Sequence, residues 1–112
     1  MSEDRLPTHI EVSALIRATE AAGGFATVVS KGDRDGGVIL ILTIEKGGQA
    51  RLWERMPRMD GTRAFVVVRC QDTENMHDFD DYLARRVAQD SDSWLIELHV
   101  PNAEQLVAEF GR

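Results

Sequence analysis

The sequence predicts an α+β fold, a mostly antiparallel five-stranded sheet with helices packed on it, in the order α-β-β-β-β-α-β-α. Three observations support this prediction. Apolar residues recur at helical spacing near the start, four β-rich segments separated by short turns follow, and a helix, a strand and a helix end the chain. The 112 residues contain no Pro-, Gly- or Ser-rich linker, so residues 1–112 are assigned to a single domain.

The first helix is predicted over residues 9–22. Thr8 and Glu11 have the spacing of a capping box, in which each side chain bonds the other residue's backbone N–H. Apolar residues at helical spacing follow them. Gly23 and Gly24 then end the segment, as glycines often end helices.

Four strands are predicted next, over residues 25–30, 37–45, 49–56 and 62–70. The second contains a nearly continuous apolar run, which is typical of a central strand buried on both faces. The connections between the four are short and rich in glycine and aspartate. An antiparallel meander of all four strands is therefore expected.

The last third of the chain predicts a second helix, a fifth strand and a short final helix. Asn75 can cap the second helix, and the fifth strand spans residues 93–100 before Pro101 breaks it. Trp94 opens this strand and is expected in the core, since large aromatic side chains are mostly buried. The final helix must dock on the sheet, because eight or nine residues make a weak helix alone.

Composition excludes several classes of protein. The net charge of −6 makes nucleic acid an unlikely partner. A single cysteine, Cys70, rules out a disulfide framework within the chain and is expected to be buried and inert. The start of the chain lacks the pattern of a signal peptide, and no apolar run could span a membrane. We therefore expect a cytoplasmic protein without membrane contact that folds without metal or cofactor.

One surface combines arginines with aromatic residues, and we call it the Arg/aromatic face. Period-2 alternation places these residues together if the third and fourth strands pair. They are Arg51, Trp53 and Arg55 on the third strand, and Arg63, Phe65 and Arg69 on the fourth. Residues 46–71 hold six Lys or Arg against two Asp or Glu, a net charge of +4.

Two interpretations of the Arg/aromatic face are open. Exposed, it would anchor a partner, because arginine and aromatic residues dominate binding hot spots. Alternatively, an acidic helix from residues 72–112 covers it, so that the aromatics are core and the arginines form internal ion pairs. The general burial of large aromatic residues favours the second interpretation.

An enzyme of unrecognised type is the alternative in function, with carboxylates doing the chemistry. The candidates are Asp33 and Asp35, or His77 with Asp78. Asp33-Arg34-Asp35-Gly36 looks like a fragment of a calcium loop, but the position six past Gly36 holds Leu42 instead of the required glutamate. No metal site is therefore predicted.

Several segments taken in order resemble a known family across residues 9–98. They are Ile10–Arg17, Gly24–Ala26, Lys31–Gly37, Gly48–Leu52, Tyr82–Arg86 and Asp90–Glu97. Together they resemble the small bacterial proteins of domain of unknown function 1491. The resemblance implies a soluble, stand-alone bacterial domain, and it carries no catalytic residue over.

The specific function is therefore unknown at the level of sequence. A small non-enzymatic interaction or regulatory module is favoured, with a protein partner of unknown identity or a second copy of the chain. The lack of a catalytic motif and the Arg/aromatic face support this expectation.

Overall fold

A computed structural model describes residues 6–45 and 48–110 and confirms the predicted order of elements. The helices are α1 (Thr8–Ala21), α2 (Met76–Gln89) and α3 (Ala103–Phe110). The strands are β1 (Phe25–Ser30), β2 (Ile39–Ile44), β3 (Ala50–Pro57), β4 (Arg63–Cys70) and β5 (Trp94–His99). In these described ranges, no helix has the length and apolarity needed to cross a membrane.

The five strands form one sheet in the order β1-β5-β2-β3-β4. All neighbours are antiparallel except β2 and β5, which run parallel. The predicted meander holds for β2, β3 and β4 but is wrong for β1, because β5 lies between β1 and β2. A central strand such as β2 has a neighbouring strand along each edge. The local sequence pattern indicates a central strand but does not show which strands are its neighbours.

Helices cover the sheet on both faces. On the first face, α1 and α3 pack on Ile39, Ile41 and Ile96; we call this the helix-pair face. On the second, α2 packs through Phe79 on Leu40, Leu42 and other residues; we call this the α2 face. The alternation along β2 confirms the prediction that this strand is buried on both sides.

The start of α1 differs from the predicted capping box. Pro7 is the N-cap residue, and no side chain caps the helix. Backbone carbonyls of a distant loop replace the cap: Thr8 N–H donates to Asp35 O at 3.1 Å, and His9 N–H to Arg34 O at 2.9 Å. The Thr8 hydroxyl donates to Gly37 O at 2.9 Å. The helix N-terminus is therefore fixed by tertiary contact, since its first N–H groups have no partner within the helix.

The loop that caps α1 is the connection from β1 to β2, which we call the crossover loop (residues 31–38). It crosses the start of β5, where Asp33 N–H donates to Asp92 O at 2.9 Å. A Cβ on Gly32 or Gly37 would lie 2.1 or 2.0 Å from Asp92 O. The two glycines are therefore required by close backbone approach, and the segment is not the hairpin turn that its sequence suggested.

Trp94 confirms the prediction that it is a core residue. Its side chain is 4% exposed and packs in the helix-pair core. Its indole N–H donates to Asp33 O at 2.7 Å, so the polar end of the buried ring is satisfied by the crossover loop. Cys70, by contrast, is exposed at the end of β4, and its predicted burial is wrong.

Gly37→Ala is expected to destabilise the protein by about 1–3 kcal/mol or more, because the new methyl group meets a backbone oxygen that cannot move alone. Gly36→Ala is the matched control in the same loop, where the nearest atom lies 3.7 Å away, and should change stability by less than about 0.5 kcal/mol. Urea unfolding measures both. Equal effects would contradict the proposed packing of the crossover loop.

Trp94→Ala should cost on the order of 3–5 kcal/mol, because it opens a cavity in the core and leaves Asp33 O without its donor. Met59→Ala provides the control, since that side chain is fully exposed at the β3–β4 turn and its loss should cost less than about 0.5 kcal/mol. Thermal or denaturant unfolding followed by circular dichroism distinguishes the two outcomes.

Candidate functional site

The Arg/aromatic face is largely covered in the folded chain. Trp53 and Phe65 are 6% and 4% exposed and belong to the helix-pair core. Trp53 Nε1 donates to the buried Thr43 hydroxyl at 2.9 Å. Both aromatic residues are therefore core residues, as the second interpretation of this face expected.

Two arginines of this face form ion pairs with residues of other elements. Arg55 Nη2 donates to Glu11 Oε2 of α1 at 2.9 Å, and its guanidinium lies 4.7 Å from the centre of the Phe65 ring. Arg51 contacts Glu104 of α3 and also Glu45, the latter at 3.4 Å. The covering helix was predicted within residues 72–112. That range contains α3, but α1, which lies outside it, also covers this face.

The other two arginines are exposed, and only Arg69 lies on a different face from Phe65. Arg63 is exposed at the start of β4. Arg69 pairs with Leu52 and therefore lies on the α2 face, because a β-bulge around Val68 shifts the register of β4. Its guanidinium lies 4.4 Å from the centre of the Tyr82 ring in α2. Partner binding by this set of residues stays a prediction. Its two exposed arginines, Arg63 and Arg69, are 6 residues apart on β4 and lie on opposite sides of the bulge.

A further ion pair fixes α2 to the sheet. Arg86 donates through Nε and Nη2 to the two carboxylate oxygens of Glu54, at 3.0 and 3.1 Å. This hydrogen bonding raises the pKa of Arg86 above its usual value, although partial burial opposes the effect. The bidentate geometry fixes the orientation of α2 on β3.

Asp33 and Asp78, one from each pair of the enzymatic alternative, make local hydrogen bonds that shape a loop and a helix start. Asp33 Oδ2 accepts the N–H groups of Asp35 and Gly36 at 3.2 and 2.8 Å, which shapes the crossover loop. Asp78 accepts a hydrogen bond from the Asn75 side chain at the start of α2, next to His77. Across residues 6–45 and 48–110, no three His, Cys, Asp or Glu side chains are grouped so as to hold a metal ion.

A cleft that the sequence reasoning missed opens where the parallel strands β2 and β5 end. Its volume is about 860 Å³, and Ile44, Glu45 and residues 99–105 line it. On its wall, the His99 ring contacts Glu97 Oε2 through Nε2 and stacks on the Phe25 ring with centroids 4.7 Å apart. The signal in the sequence was the alternation of Glu97 and His99 along β5, which places both on one face.

Phe25 also begins the most exposed strand of the sheet. β1 pairs only with β5, so its other edge has no partner in the described chain. Phe25, Val28 and Val29 are 56%, 40% and 52% exposed. Ala26 and Val28 lie on the helix-pair face, whereas Phe25 and Thr27 lie on the α2 face beyond the reach of the α2 core. This edge is the candidate binding surface.

Comparisons with known proteins agree with the fold. The model of a family described as "Protein of unknown function (DUF1491)" matches residues 6–108. No curated protein sequence matches the chain.

Solved structures similar to this chain include the following three. A crystal structure of a DUF1491 family protein from Caulobacter crescentus CB15 shares 37% identity, with 85% of this chain and 88% of that chain covered and a TM-score of 0.73. An NMR structure of a DUF1491 family protein from the same organism shares 34% identity over 94% of each chain, with a TM-score of 0.75. The solution structure of protein Atu0922 from A. tumefaciens shares 30% identity over 94% of each chain, with a TM-score of 0.72.

Charge reversal should separate the structural arginines from the exposed ones. Arg55→Glu places a carboxylate beside Glu11 in a mostly buried pair and should cost about 2–4 kcal/mol, somewhat less than breaking a fully buried pair. Arg63→Glu, on the exposed start of β4, should change stability by less than about 0.5 kcal/mol. Chemical unfolding of both variants checks this, and a wild-type midpoint for Arg55→Glu would contradict the structural role.

Proposed function

The chain belongs to the DUF1491 family, and we propose that it is a non-enzymatic protein-interaction module that binds its partner along the open edge of β1. In this mode, an extended segment of the partner adds a sixth strand to the sheet. Backbone hydrogen bonds supply the affinity, and the side chains next to the strand supply the selectivity.

The observation that carries this proposal is the character of the β1 edge. The strand contains no charged residue, yet it leaves Phe25, Val28 and Val29 exposed. Natural proteins usually protect a free edge with charged side chains, proline or a bulge, because unpaired backbone groups there recruit other strands. β1 has only a register irregularity around Val29, near its end. Most of the edge is therefore available for pairing.

The opposite edge of the sheet provides an internal comparison. β4 also exposes valines, among them Val66 at 41%. However, β4 carries Arg63 and Arg69, and its bulge at Val68 lies within the strand. The charges and the bulge make β4 the protected edge and β1 the edge that favours a partner.

Phe25 gives the proposed surface an anchor. Its ring stacks on His99, which itself contacts Glu97, so the aromatic ring is held in position although more than half of it is exposed. An ordered, exposed aromatic side chain loses little conformational entropy on binding and is a common hot spot of interfaces. The same contact joins the β1 edge to the cleft at the ends of β2 and β5.

In-cell photocrosslinking tests the proposal. A photoreactive amino acid replaces Thr27, which is exposed in the middle of β1, and in a second protein it replaces Thr62, which is exposed beside the β3–β4 turn. We expect one discrete adduct from position 27 and none from position 62, since only the first lies on the proposed interface.

Paired valine variants provide the control for folding. Val28→Lys and Val66→Lys each replace a valine with a charged residue. The two valines are similarly exposed, 40% and 41%, and lie on opposite edge strands of the sheet. Val28→Lys should remove the adduct formed at position 27, whereas Val66→Lys should leave it intact. A position-27 adduct that persists with Val28→Lys, or that never forms in wild type, would sink the proposed function.

A further inference from the structure

We infer that the strand which adds to β1 is the β1 of a second copy, so that two chains form a continuous ten-stranded sheet about a two-fold axis. This inference rests on the proposed function and names its partner. An antiparallel pair of identical strands has two-fold symmetry, and such a contact uses the same surface patch on both copies.

The lack of charge at this edge favours contact with a second copy of an acidic chain. A two-fold contact brings a surface patch against a copy of itself, so a patch whose charge is mainly of one sign is repelled. Each chain has a net charge of −6, but residues 21–30 contain no charged side chain. β1 lies within this uncharged run, so two copies can meet there without direct repulsion between like charges.

The pleat of β1 restricts the register of the pair. A two-fold axis normal to the sheet keeps each face on its own side, so residues directly opposite each other must belong to the same face. Ala26 and Val28 lie on the helix-pair face, and Phe25 and Thr27 on the α2 face. Registers that set Thr27 opposite Val28 of the second copy are therefore excluded.

The irregularity around Val29 selects among the remaining registers. An axis through Val28 would require regular pairing across Val29, where the register of β1 is already shifted. An axis through Ala26 would pair a shorter part of the strand. The axis through Thr27 pairs residues 25–29 and meets the irregular Val29 only at the end of the overlap. It sets Thr27 opposite its own image and Ala26 opposite Val28 of the second copy.

This register makes a disulfide test possible. Directly opposite Cα atoms in an antiparallel pair lie about 4.5–5.5 Å apart, which is within the range that a disulfide spans. Thr27→Cys is made together with Cys70→Ser, because the native cysteine is exposed and would react as well. Under mild oxidation at high protein concentration, we expect a covalent dimer that reductant dissolves.

Thr62→Cys in the same Cys70→Ser background is the matched control. Thr62 is also exposed, but it lies just before β4, which forms the opposite edge of the sheet from β1. It should form dimers at least tenfold more slowly. Adding Val28→Lys to the Thr27→Cys protein should slow its crosslinking towards that rate, whereas adding Val66→Lys should not. Circular dichroism melts of each protein identify any variant that is unfolded. Crosslinking of Thr27→Cys no faster than Thr62→Cys would overturn the inference.

The two proposals fail in different ways. If the position-27 photocrosslink yields an adduct with the mass of two chains, both stand. If it yields an adduct with a different protein and Thr27→Cys does not dimerise, the second copy is wrong but the interaction module stands. If neither experiment gives a product, both are wrong.

Discussion

The contact between the crossover loop and the start of β5 is the constraint on which the rest of the structure depends. Because β5 lies between β1 and β2, the chain leaving β1 must cross the start of β5 before it can form β2. Gly32 and Gly37 permit that crossing, since any side chain there would collide with Asp92 O. The same loop then supplies carbonyls to the first N–H groups of α1 and to the Trp94 indole.

This contact explains the structural role of two of the sequence segments that resemble the DUF1491 family. Lys31–Gly37 and Asp90–Glu97 meet in space, although about 55 residues separate them along the chain. Their aspartates shape loops: Asp33 Oδ2 accepts two backbone N–H groups, and Asp90 Oδ1 accepts the N–H of Asp92 at 3.0 Å. These residue types therefore serve the fold, and their presence needs no catalytic explanation.

The same topology leaves the two edges of the sheet with different surfaces. The basic segment of the chain forms β3 and β4. Arg51 and Arg55 of β3 pair with glutamates of α3 and α1, and exposed arginines protect the β4 edge. The uncharged segment forms β1, which α1 covers on one face only. The edge with the least charge is thus also the edge with the most exposed apolar side chains.

The sequence by itself determined the elements, their order and the double burial of β2, because these depend on local periodicity and on apolar content. Trp94 was placed in the core for the same reason. The tertiary structure alone decided that β5 separates β1 from β2, because strand pairing depends on contacts between residues far apart in the chain. It also decided that Arg69 lies on the α2 face, since a single bulge at Val68 reverses the alternation that sequence reasoning assumes. The exposure of Cys70 and the stacking of Phe25 on His99 followed from that pairing and could not be read from spacing.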